Sequence, residues 1–401
     1  MGLSDILVRR AVRVARVLVV AAPGTFVIRV AAEREIAARG WRVASSPADA
    51  DVLLQVGRVF GELREVAGRL WDQMPGPRAR VAAEVVGAVP AALDKAVVLL
   101  LDAALQAEDA AGRAAPDVGH GGDDMDIGEG STDPDATEHD MNPGGMDHGG
   151  MDHGGMDHGG MDHGGMDHGG MDHGGMHMDM SPDGIPLAEG SEDDRDGLEM
   201  DTLPLRLGPV LPDWPAGLVF DVTLHGDVIM DAAARWVDTG DDPGPEPDDP
   251  DDFEAAACAC DDVVTLLSLA GWPDGAGRAR AARDAALEAR WLDAFRILGD
   301  LRHRVVGSRL LRWSLRRTAV IDQERAARIG LPAESAGDCY DRLLALVDRA
   351  LALVERSDGG GPTAVGLDAV RQAVLGLDLA AARLLIASLG TPLSEVVGAD
   401  V

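Results

Sequence analysis

The spacing of hydrophobic and polar positions near the N-terminus is that of alternating strands and helices. Val17-Leu18-Val19-Val20 is a compact apolar run that stops at Pro23-Gly24, which is typical of a strand buried in a parallel sheet. The helical spacing that follows continues to Gly40. Strands are predicted at 17–20, 41–43 and 51–54, and helices at 26–39 and 59–71. We therefore expect residues 1–115 to form an α/β domain with a flavodoxin-like parallel sheet covered on both faces.

The second half of the chain has the pattern of a small β element followed by helices. Two apolar runs, at 218–224 and 228–230, flank His225-Gly226-Asp227, and this arrangement predicts a β-hairpin. From residue 255 onward the apolar spacing is helical. Helices are predicted over 287–305, 335–356 and 363–388. Residues 203–401 are thus expected to form a mostly α-helical domain with a small β-hairpin element.

The net charge of −33 is concentrated in two segments. From Asp117 to Asp201 there are 24 acidic residues and one basic residue, and residues 238–254 add nine acids and no base. Both segments are rich in glycine or proline and nearly lack aromatic residues, so they cannot bury enough apolar surface to offset the entropy of ordering. We therefore predict a disordered, extended linker over 116–202 and a disordered insert over 238–254. The acidic balance also argues against nucleic acid as a partner.

Six consecutive copies of Met-Asp-His-Gly-Gly run from Met146 to Gly175, inside the predicted linker. Each copy contains a thioether, which favours Cu(I), and an imidazole, which suits Cu, Ni or Zn. The alternative is a plain linker, because two glycines in each copy make an ordered site costly. The residues predicted to bind metal are Met146, His148, Met151, His153, Met156, His158, Met161, His163, Met166, His168, Met171, His173, Met176, His177, Met178 and Met180.

Cysteines are few, and no apolar run is long. The three cysteines, Cys258, Cys260 and Cys339, do not make a disulfide framework, and they predict a reducing cytoplasmic location. Side chains two positions apart on a helix point in directions about 200° apart around its axis. We therefore interpret Cys258 and Cys260 as small core residues rather than as half of a thiolate site. No apolar run reaches the roughly 20 residues of a membrane span, and no signal peptide is expected.

Arginine is concentrated in one stretch of the C-terminal region. Residues 278–317 contain eleven arginines and four acidic residues, so this stretch is basic within an acidic chain. Such a stretch can contact nucleic acid or anionic lipid, or it can be a solvated helix face. It can also dock the acidic segments of the same chain through attraction that salt would screen. We favour docking, either within the chain or onto a partner protein.

Two stretches of the N-terminal region resemble a known protein family. Ser46-Pro47-Ala48-Asp49-Ala50-Asp51, continuing to Gly57, resembles the Ser-Pro-x-x-Ala-Asp…Gly strand and loop of the cluster-bearing B subunit of NADH-quinone oxidoreductase, or complex I. Leu70-Trp71-Asp72-Gln73-Met74-Pro75-Gly76-Pro77-Arg78 is similar to that subunit's Tyr-Asp-Gln-Met-Pro-x-Pro-Lys segment. The spacing between the two segments is also similar, and the resemblance covers most of residues 17–110.

A further resemblance begins at Gly208-Pro209-Val210-Leu211-Pro212 and continues to Leu224-His225-Gly226-Asp227. This stretch is similar to the start of the D subunit of the same complex, a relative of the nickel–iron hydrogenase large subunit. Gly337-Asp338-Cys339-Tyr340-Asp341-Arg342 looks like that subunit's Gly-Asp-x-x-x-Arg helix entry. The likeness extends more weakly over residues 203–356. Because B-like and D-like parts follow each other in one chain, each supports the other.

The ligands that the family uses are missing from the matching positions. The B subunit holds a [4Fe–4S] cluster with four cysteines, and this chain has no cysteine before Cys258. Where the D subunit has His-Pro-x-x-His-Gly, whose first histidine meets the quinone, this chain has Leu211-Pro212-Asp213-Trp214-Pro215-Ala216. Tyr340 lies outside the segment of the family's quinone-binding tyrosine, and Cys258-Ala259-Cys260 is not the Cys-x-x-Cys of a nickel–iron site. The resemblance therefore implies a scaffold without cofactors in its folded domains.

Three functional hypotheses follow. The leading one is a fused, non-catalytic scaffold or accessory subunit, peripheral on the inner face of the cell membrane, whose partners are other subunits of a membrane-bound oxidoreductase complex. The second is a protein that sequesters or delivers Cu, Ni or Zn through the repeat. The third is an oxidoreductase whose cofactor lies on a partner chain.

Overall fold

The structure, a computed structural model, describes residues 14–113, 202–238, 252–355, 364–390 and 393–394. All of them belong to one compact unit, which spans Met1–Arg113 and Ser181–Val401. We refer to the described residues up to 113 as the N-terminal half and to those from 202 onward as the C-terminal half. The predicted linker lies outside the described residues except for Thr202, and so does the insert between 239 and 251.

The N-terminal half contains the parallel sheet that the apolar runs predict. Its four strands are all parallel in the order β2-β1-β3-β4, so the valine- and leucine-rich strands β1 and β3 occupy the centre, where both faces are covered. The last strand and the two helices after it were not predicted. The elements are β1 (Arg16–Ala21), α1 (Phe26–Ala38), β2 (Arg42–Val43), a 3-10 turn (Pro47–Asp49), β3 (Val52–Val56), α2 (Gly61–Gln73), β4 (Ala79–Ala83), a 3-10 turn (Val86–Ala88), α3 (Val89–Leu101) and α4 (Ala103–Gly112).

Alternate side chains of β1 and β3 enter two different cores. On one face, α1 and α3 bury Val52 and Leu54. On the other face, Leu53 packs in a cluster that α2 shares with Val219 and Val237 of the C-terminal half. Because the second core takes side chains from both halves, the N-terminal sheet is covered on this face partly by the rest of the chain.

The C-terminal half opens with a three-stranded antiparallel sheet in the order β5-β6-β7, and the predicted hairpin is confirmed as β6 and β7. Its turn, Gly226-Asp227, has Gly226 at a φ of 63°, a conformation that glycine adopts without strain. Leu218 and Phe220 of β6 face the helical core, whereas Val219 between them faces the N-terminal half. The strands are β5 (Thr202–Leu207), β6 (Leu218–His225) and β7 (Val228–Trp236).

The remainder of the C-terminal half is mostly helical, as the pattern predicts. Its central core is built from residues such as Val263, Leu301, Leu343 and Leu385, which are fully buried. No helix among the described residues is long and apolar enough to cross a lipid bilayer. The elements are α5 (Asp252–Leu269), α6 (Pro273–Leu287), α7 (Trp291–Gly307), α8 (Arg309–Leu315), α9 (Gln323–Ile329), a 3-10 turn (Ala333–Ser335), α10 (Cys339–Glu355), β8 (Val365–Gly366), α11 (Leu367–Val374), α12 (Leu379–Leu389) and β9 (Leu393–Ser394).

Three predicted boundaries are wrong. The helix predicted over 287–305 is interrupted at Ala289, which has a φ of 56°, so α6 ends before it and α7 begins after it. Apolar spacing continues across this break because both helices face one core. The helix predicted over 363–388 is interrupted at Gly376, whose N–H donates to Ile229 of β7. The insert predicted to end at residue 254 ends earlier, because α5 begins at Asp252 and Phe253 stacks on Trp291.

Candidate functional site

The residues predicted to bind metal, from Met146 to Met180, lie outside the described part of the chain, so that prediction stays a prediction. Among the residues that the structure describes, no group of three or more His, Cys, Asp or Glu side chains is arranged to hold a metal ion. The groups in the described residues that could bind a ligand or another protein are the cysteines and the charged side chains.

The two cysteines of the Cys-x-Cys pair lie in helix α5. Cys260 is buried and Cys258 is half-buried, and neither forms a disulfide. Burial, together with nearby carboxylates such as Asp261, raises the pKa of both thiols well above the usual range. Both thiols therefore stay protonated near neutral pH, which makes them poor nucleophiles and poor metal ligands.

A cluster of charged side chains joins the two halves, with Arg283 buried at its centre and its partners partly exposed. Arg283 of α6 is 1% exposed, and its Nη1 donates to Asp261 and to Glu33 of α1, each at 2.7 Å. Arg29 of α1 donates to the second oxygen of Asp261 at 2.5 Å. Arg283 also donates through Nε to Asp284 at 3.2 Å. Each carboxylate oxygen of Asp261 thus accepts from a guanidinium, one from each half of the chain.

The electrostatics of this cluster follow from its burial. Burial alone would raise the pKa of Asp261, but the guanidiniums of Arg29 and Arg283 hold it below its usual value. Burial works against the charged form of Arg283 as well, yet Asp261 and Glu33 raise its pKa above the usual range. Both partners stay charged because neither is left alone in a region of low dielectric constant.

A second ion pair joins the halves at the start of α2. Arg235 of β7 donates from Nη1 and Nη2 to the two oxygens of Glu62, at 2.6 and 2.8 Å. The hydrogen bonds from Arg235 outweigh desolvation and lower the pKa of Glu62. The backbone N–H of Glu62 also donates to the carbonyl of Asp238 at 3.0 Å. The ion pair is bidentate, and this geometry fixes the orientation of α2 against the sheet that contains β7.

The loop 211–216, which we compare by sequence with the quinone histidines of the D subunit, makes structural contacts here. Trp214 donates through Nε1 to the carbonyl of Leu218 at 2.8 Å and packs edge-on against Phe220. Asp213 has a φ of 53°, and burial raises its pKa against the opposing effects of Arg280 and Arg383. Asp213 and Trp214, which lie between the two positions compared with the histidines, therefore help to hold this loop on the protein.

The segment that we compare by sequence with the B subunit's Tyr-Asp-Gln-Met-Pro-x-Pro-Lys is held by its last residue, Arg78. Arg78 is 5% exposed, lies 4.1 Å from the ring centroid of Trp71, and pairs with Asp109 of α4 at 2.9 Å. Its guanidinium also donates to the carbonyls of Trp71 and Met74. Arg78 therefore ties the segment to α4. The four-cysteine donor set of a [4Fe–4S] cluster is absent from this half, so the residues present do not fit that cofactor.

The Gly-Asp-x-x-x-Arg sequence at the start of α10 organises a neighbouring surface segment. Asp338 accepts hydrogen bonds from the backbone N–H of Arg317, Tyr340 and Asp341, each at 3.0 Å. Burial would raise the pKa of Asp338, but these N–H groups and Arg316 hold it below its usual value. Arg342 is 2% exposed and donates to the carbonyl of Ala319 at 2.8 Å and to Ser388 at 2.7 Å. The two motif residues thus fix the backbone on both sides of Thr318.

The segment held in this way presents a basic surface. We define the Arg/Trp surface as Arg309, Leu310, Arg312, Trp313, Arg316 and Arg317. Five of these residues, all except Leu310, line an open concavity of about 750 Å³. Arg312 and Arg316 also lie over the ring of Tyr340, at 5.5 and 5.1 Å from its centroid. Arg316 pairs with Asp341 at 3.3 Å, whereas Arg309, Arg312 and Arg317 have no carboxylate partner among the described residues.

The sequence shows where arginines are concentrated, but it does not show which of them are buried, paired or exposed. The eleven arginines of the arginine-rich stretch include the buried connector Arg283, surface ion pairs such as Arg302 with Asp348, and the exposed side chains of the Arg/Trp surface. The sequence gives little indication that Arg283 forms an ion pair with Glu33, because Glu33 lies 250 residues away in the chain.

The comparisons with known proteins do not assign this chain to a family. No protein-family model, no curated protein and no solved structure matches it.

Proposed function

We propose that this chain is a non-catalytic scaffold or accessory subunit of an NADH-quinone oxidoreductase-like or membrane-hydrogenase-like complex. In this proposal a B-like half and a D-like half are fused, and both have lost their iron–sulfur, nickel–iron and quinone ligands. The observation that carries the proposal is the joint between the halves, where Asp261 accepts from Arg29 on one side and Arg283 on the other. Because the two halves are joined through these charges and a shared core, they offer other subunits one continuous surface.

The segments that carry the resemblance support this proposal through what they now do. Arg78 ties the B-like segment to α4, and Trp214 holds the D-like loop on β6. The strand order β2-β1-β3-β4 is also the flavodoxin-like order without a fifth strand, which favours the flavodoxin-like assignment of the N-terminal half. Residues within both segments that carry the resemblance therefore stabilise the fold here.

The partners in this proposal are other subunits of the complex, and nucleic acid is not among them. The chain would act in the cytoplasm, peripherally on the inner face of the cell membrane. The predicted disordered linker over 116–202 would tether the halves and carry most of the negative charge.

Co-purification tests the scaffold proposal. A tagged full-length chain is recovered from native membranes under mild detergent, and the proteins that come with it are identified by mass spectrometry. We expect subunits of a membrane-bound oxidoreductase, including proton-channel-like membrane proteins, and genes for such subunits beside the gene for this chain. Recovery of the chain without oxidoreductase subunits would contradict the proposal. Quinone reduction by the purified chain would instead favour an oxidoreductase.

A second candidate function is metal sequestration or delivery, which the six Met-Asp-His-Gly-Gly copies favour because they repeat the same soft and intermediate ligands at a fixed spacing. The test compares the wild type with a chain lacking residues 141–180 for the Cu, Ni and Zn bound per molecule and for the metal tolerance of the cells. A matched control replaces the six repeat histidines by asparagine and keeps length and charge. Unchanged tolerance in the deletion strain would exclude this function.

A further inference from the structure

We propose that the Arg/Trp surface binds the headgroup region of an anionic phospholipid bilayer. Trp313 and Leu310 are 79% and 73% exposed, and they lie three residues apart on the same face of α8. Beside them are Arg309, Arg312 and Arg317, which no carboxylate of the described residues neutralises. The surface therefore combines exposed apolar side chains with unpaired positive charge.

Each part of this surface has a counterpart in the bilayer interface. Tryptophan is enriched at the level of the headgroups, because its ring is apolar and its indole N–H is polar. Leucine side chains enter the boundary between headgroups and acyl chains when a helix lies flat on the membrane. Guanidinium groups donate two parallel hydrogen bonds to phosphate oxygens. Trp313 and Leu310 would enter the interface while Arg309, Arg312 and Arg317 contact lipid phosphates.

The surface is already ordered before any ligand binds. Asp338 holds the backbone N–H of Arg317, and Arg342 holds the carbonyl of Ala319. Tyr340, whose ring lies beneath Arg312 and Arg316, donates to the carbonyl of Val305 at 3.2 Å. Because these positions are fixed by buried groups, binding costs little ordering of the backbone.

The acidic segments of the same chain are the competing occupant, since they also complement the arginines in charge. The segment 239–251 contains glycine, proline, threonine and acidic residues, and no apolar side chain larger than proline. It can neutralise Arg309 and Arg317, but it has no large apolar side chain to cover Trp313. The longer acidic segment, 117–201, also contains methionine and leucine, so it is a second competing occupant that the test has to separate. A bilayer supplies negative charge and a continuous apolar boundary for Trp313 and Leu310 together, and we therefore favour lipid.

The chain's net negative charge opposes its approach to an anionic bilayer, so binding depends on charge close to the surface. At physiological ionic strength, charges further apart than about 8 Å are largely screened. The arginines of the Arg/Trp surface would lie at contact distance from the headgroups, where salt screens their attraction less than it screens charges further away, but still reduces it. This predicts binding that weakens as salt is added.

Vesicle co-sedimentation of the full-length chain tests the proposal. We expect binding to vesicles of phosphatidylcholine mixed with phosphatidylglycerol and none to phosphatidylcholine alone. The variant Arg309→Gln/Arg317→Asn should lower partitioning about fivefold for each arginine removed, and Trp313→Ser should lower it further. The control Arg42→Gln/Arg69→Gln removes the same charge from exposed arginines of the N-terminal half and should bind like the wild type.

Three results would overturn the proposal: equal binding to both kinds of vesicle, no binding to either, or equal binding by the double variant and its control. Deletion of residues 239–251, and in a separate variant of residues 117–201, separates lipid from the chain's own acidic segments. Vesicle binding that appears only after either deletion would show that an acidic segment occupies the surface, which also overturns the proposal. The vesicles contain no protein, so failure here is distinct from failure of the co-purification test.

Discussion

Arginine has two different roles in two regions of this molecule. At the joint between the halves, Arg283 is buried and pairs with three carboxylates. On the Arg/Trp surface, Arg309 and Arg317 are exposed and have no carboxylate partner in the described part of the chain. The difference shows that a count of arginines says little about function. Burial and pairing decide whether an arginine holds the protein together or remains available to a ligand.

The largest effect on stability should come from replacing Arg283, the buried arginine at the joint. We expect Arg283→Met to lower the free energy of unfolding by about 3–5 kcal/mol, because it leaves the carboxylate of Asp261 buried with one partner fewer. The control is Arg278→Met, since Arg278 pairs with Asp300 at the surface and should cost less than about 1 kcal/mol. Urea unfolding followed by circular dichroism measures both. Equal losses in the two variants would contradict the distinction between buried and surface arginines.

A side chain added at Gly217 should test how tightly the two halves pack against each other. Gly217 has a φ of 83°, and an added Cβ would lie 2.5 Å from Cγ of Pro23 in the other half. We expect Gly217→Ala to lower the free energy of unfolding by about 2–4 kcal/mol, from left-handed strain plus overlap. Gly226→Ala is the matched control, because Gly226 also has a positive φ but no atom lies within 4 Å of an added Cβ. If both variants lose the same free energy, the halves are not packed tightly at Pro23.

The pH dependence of stability should report on the Glu62–Arg235 pair. Arg235 lowers the pKa of Glu62 in the folded protein, so the carboxylate stabilises the fold at neutral pH and loses this effect as the pH falls through the lowered pKa. We expect Glu62→Gln to lower the free energy of unfolding by about 1 kcal/mol near neutral pH, with the difference shrinking below about pH 4. Urea unfolding at several pH values measures it. Glu65→Gln, at an exposed position of the same helix, is the matched control, and an equal pH-dependent difference in both variants would contradict the role of the Arg235 pair.

The smallest effect on stability should come from the Arg/Trp surface. Arg309→Gln/Arg317→Asn should change the free energy of unfolding by less than about 0.5 kcal/mol, because both side chains are exposed and asparagine tolerates the φ of 65° at residue 317. Thermal and urea unfolding would check this. A loss as large as that of Arg283→Met would mean that these arginines stabilise the fold.

The elements with a clear local period were predicted well, and the contacts between them were not. The strand at Val17–Val20 and the hairpin around Gly226 follow from runs and turns within about ten residues. Strand β4, Ala79–Ala83, was missed because its alanines and single arginine carry a weak apolar signal. The breaks at Ala289 and Gly376 were missed because helices on either side face one core and keep the apolar spacing.

The candidate surface was predicted only in part. Eleven arginines among residues 278–317 indicated a docking region. The candidate surface was placed at 309–317 within that stretch because Asp338 and Arg342 hold the backbone there. Arg302 and Arg304 instead pair with Asp348 and Asp300. The repeat from Met146 onward is the opposite case, since its ligands can be read from the sequence and it lies outside the described residues.

The sequence by itself determined the fold class, the place of the acidic segments and the location of the basic stretch, because apolar period and charge density are local properties. Tertiary structure decided that the halves share a core and that Arg283 is a connector. The physical reason is distance along the chain. The partners of Asp261 and Glu33 lie as far as 232 and 250 residues away, and only folding brings such charges into one cluster.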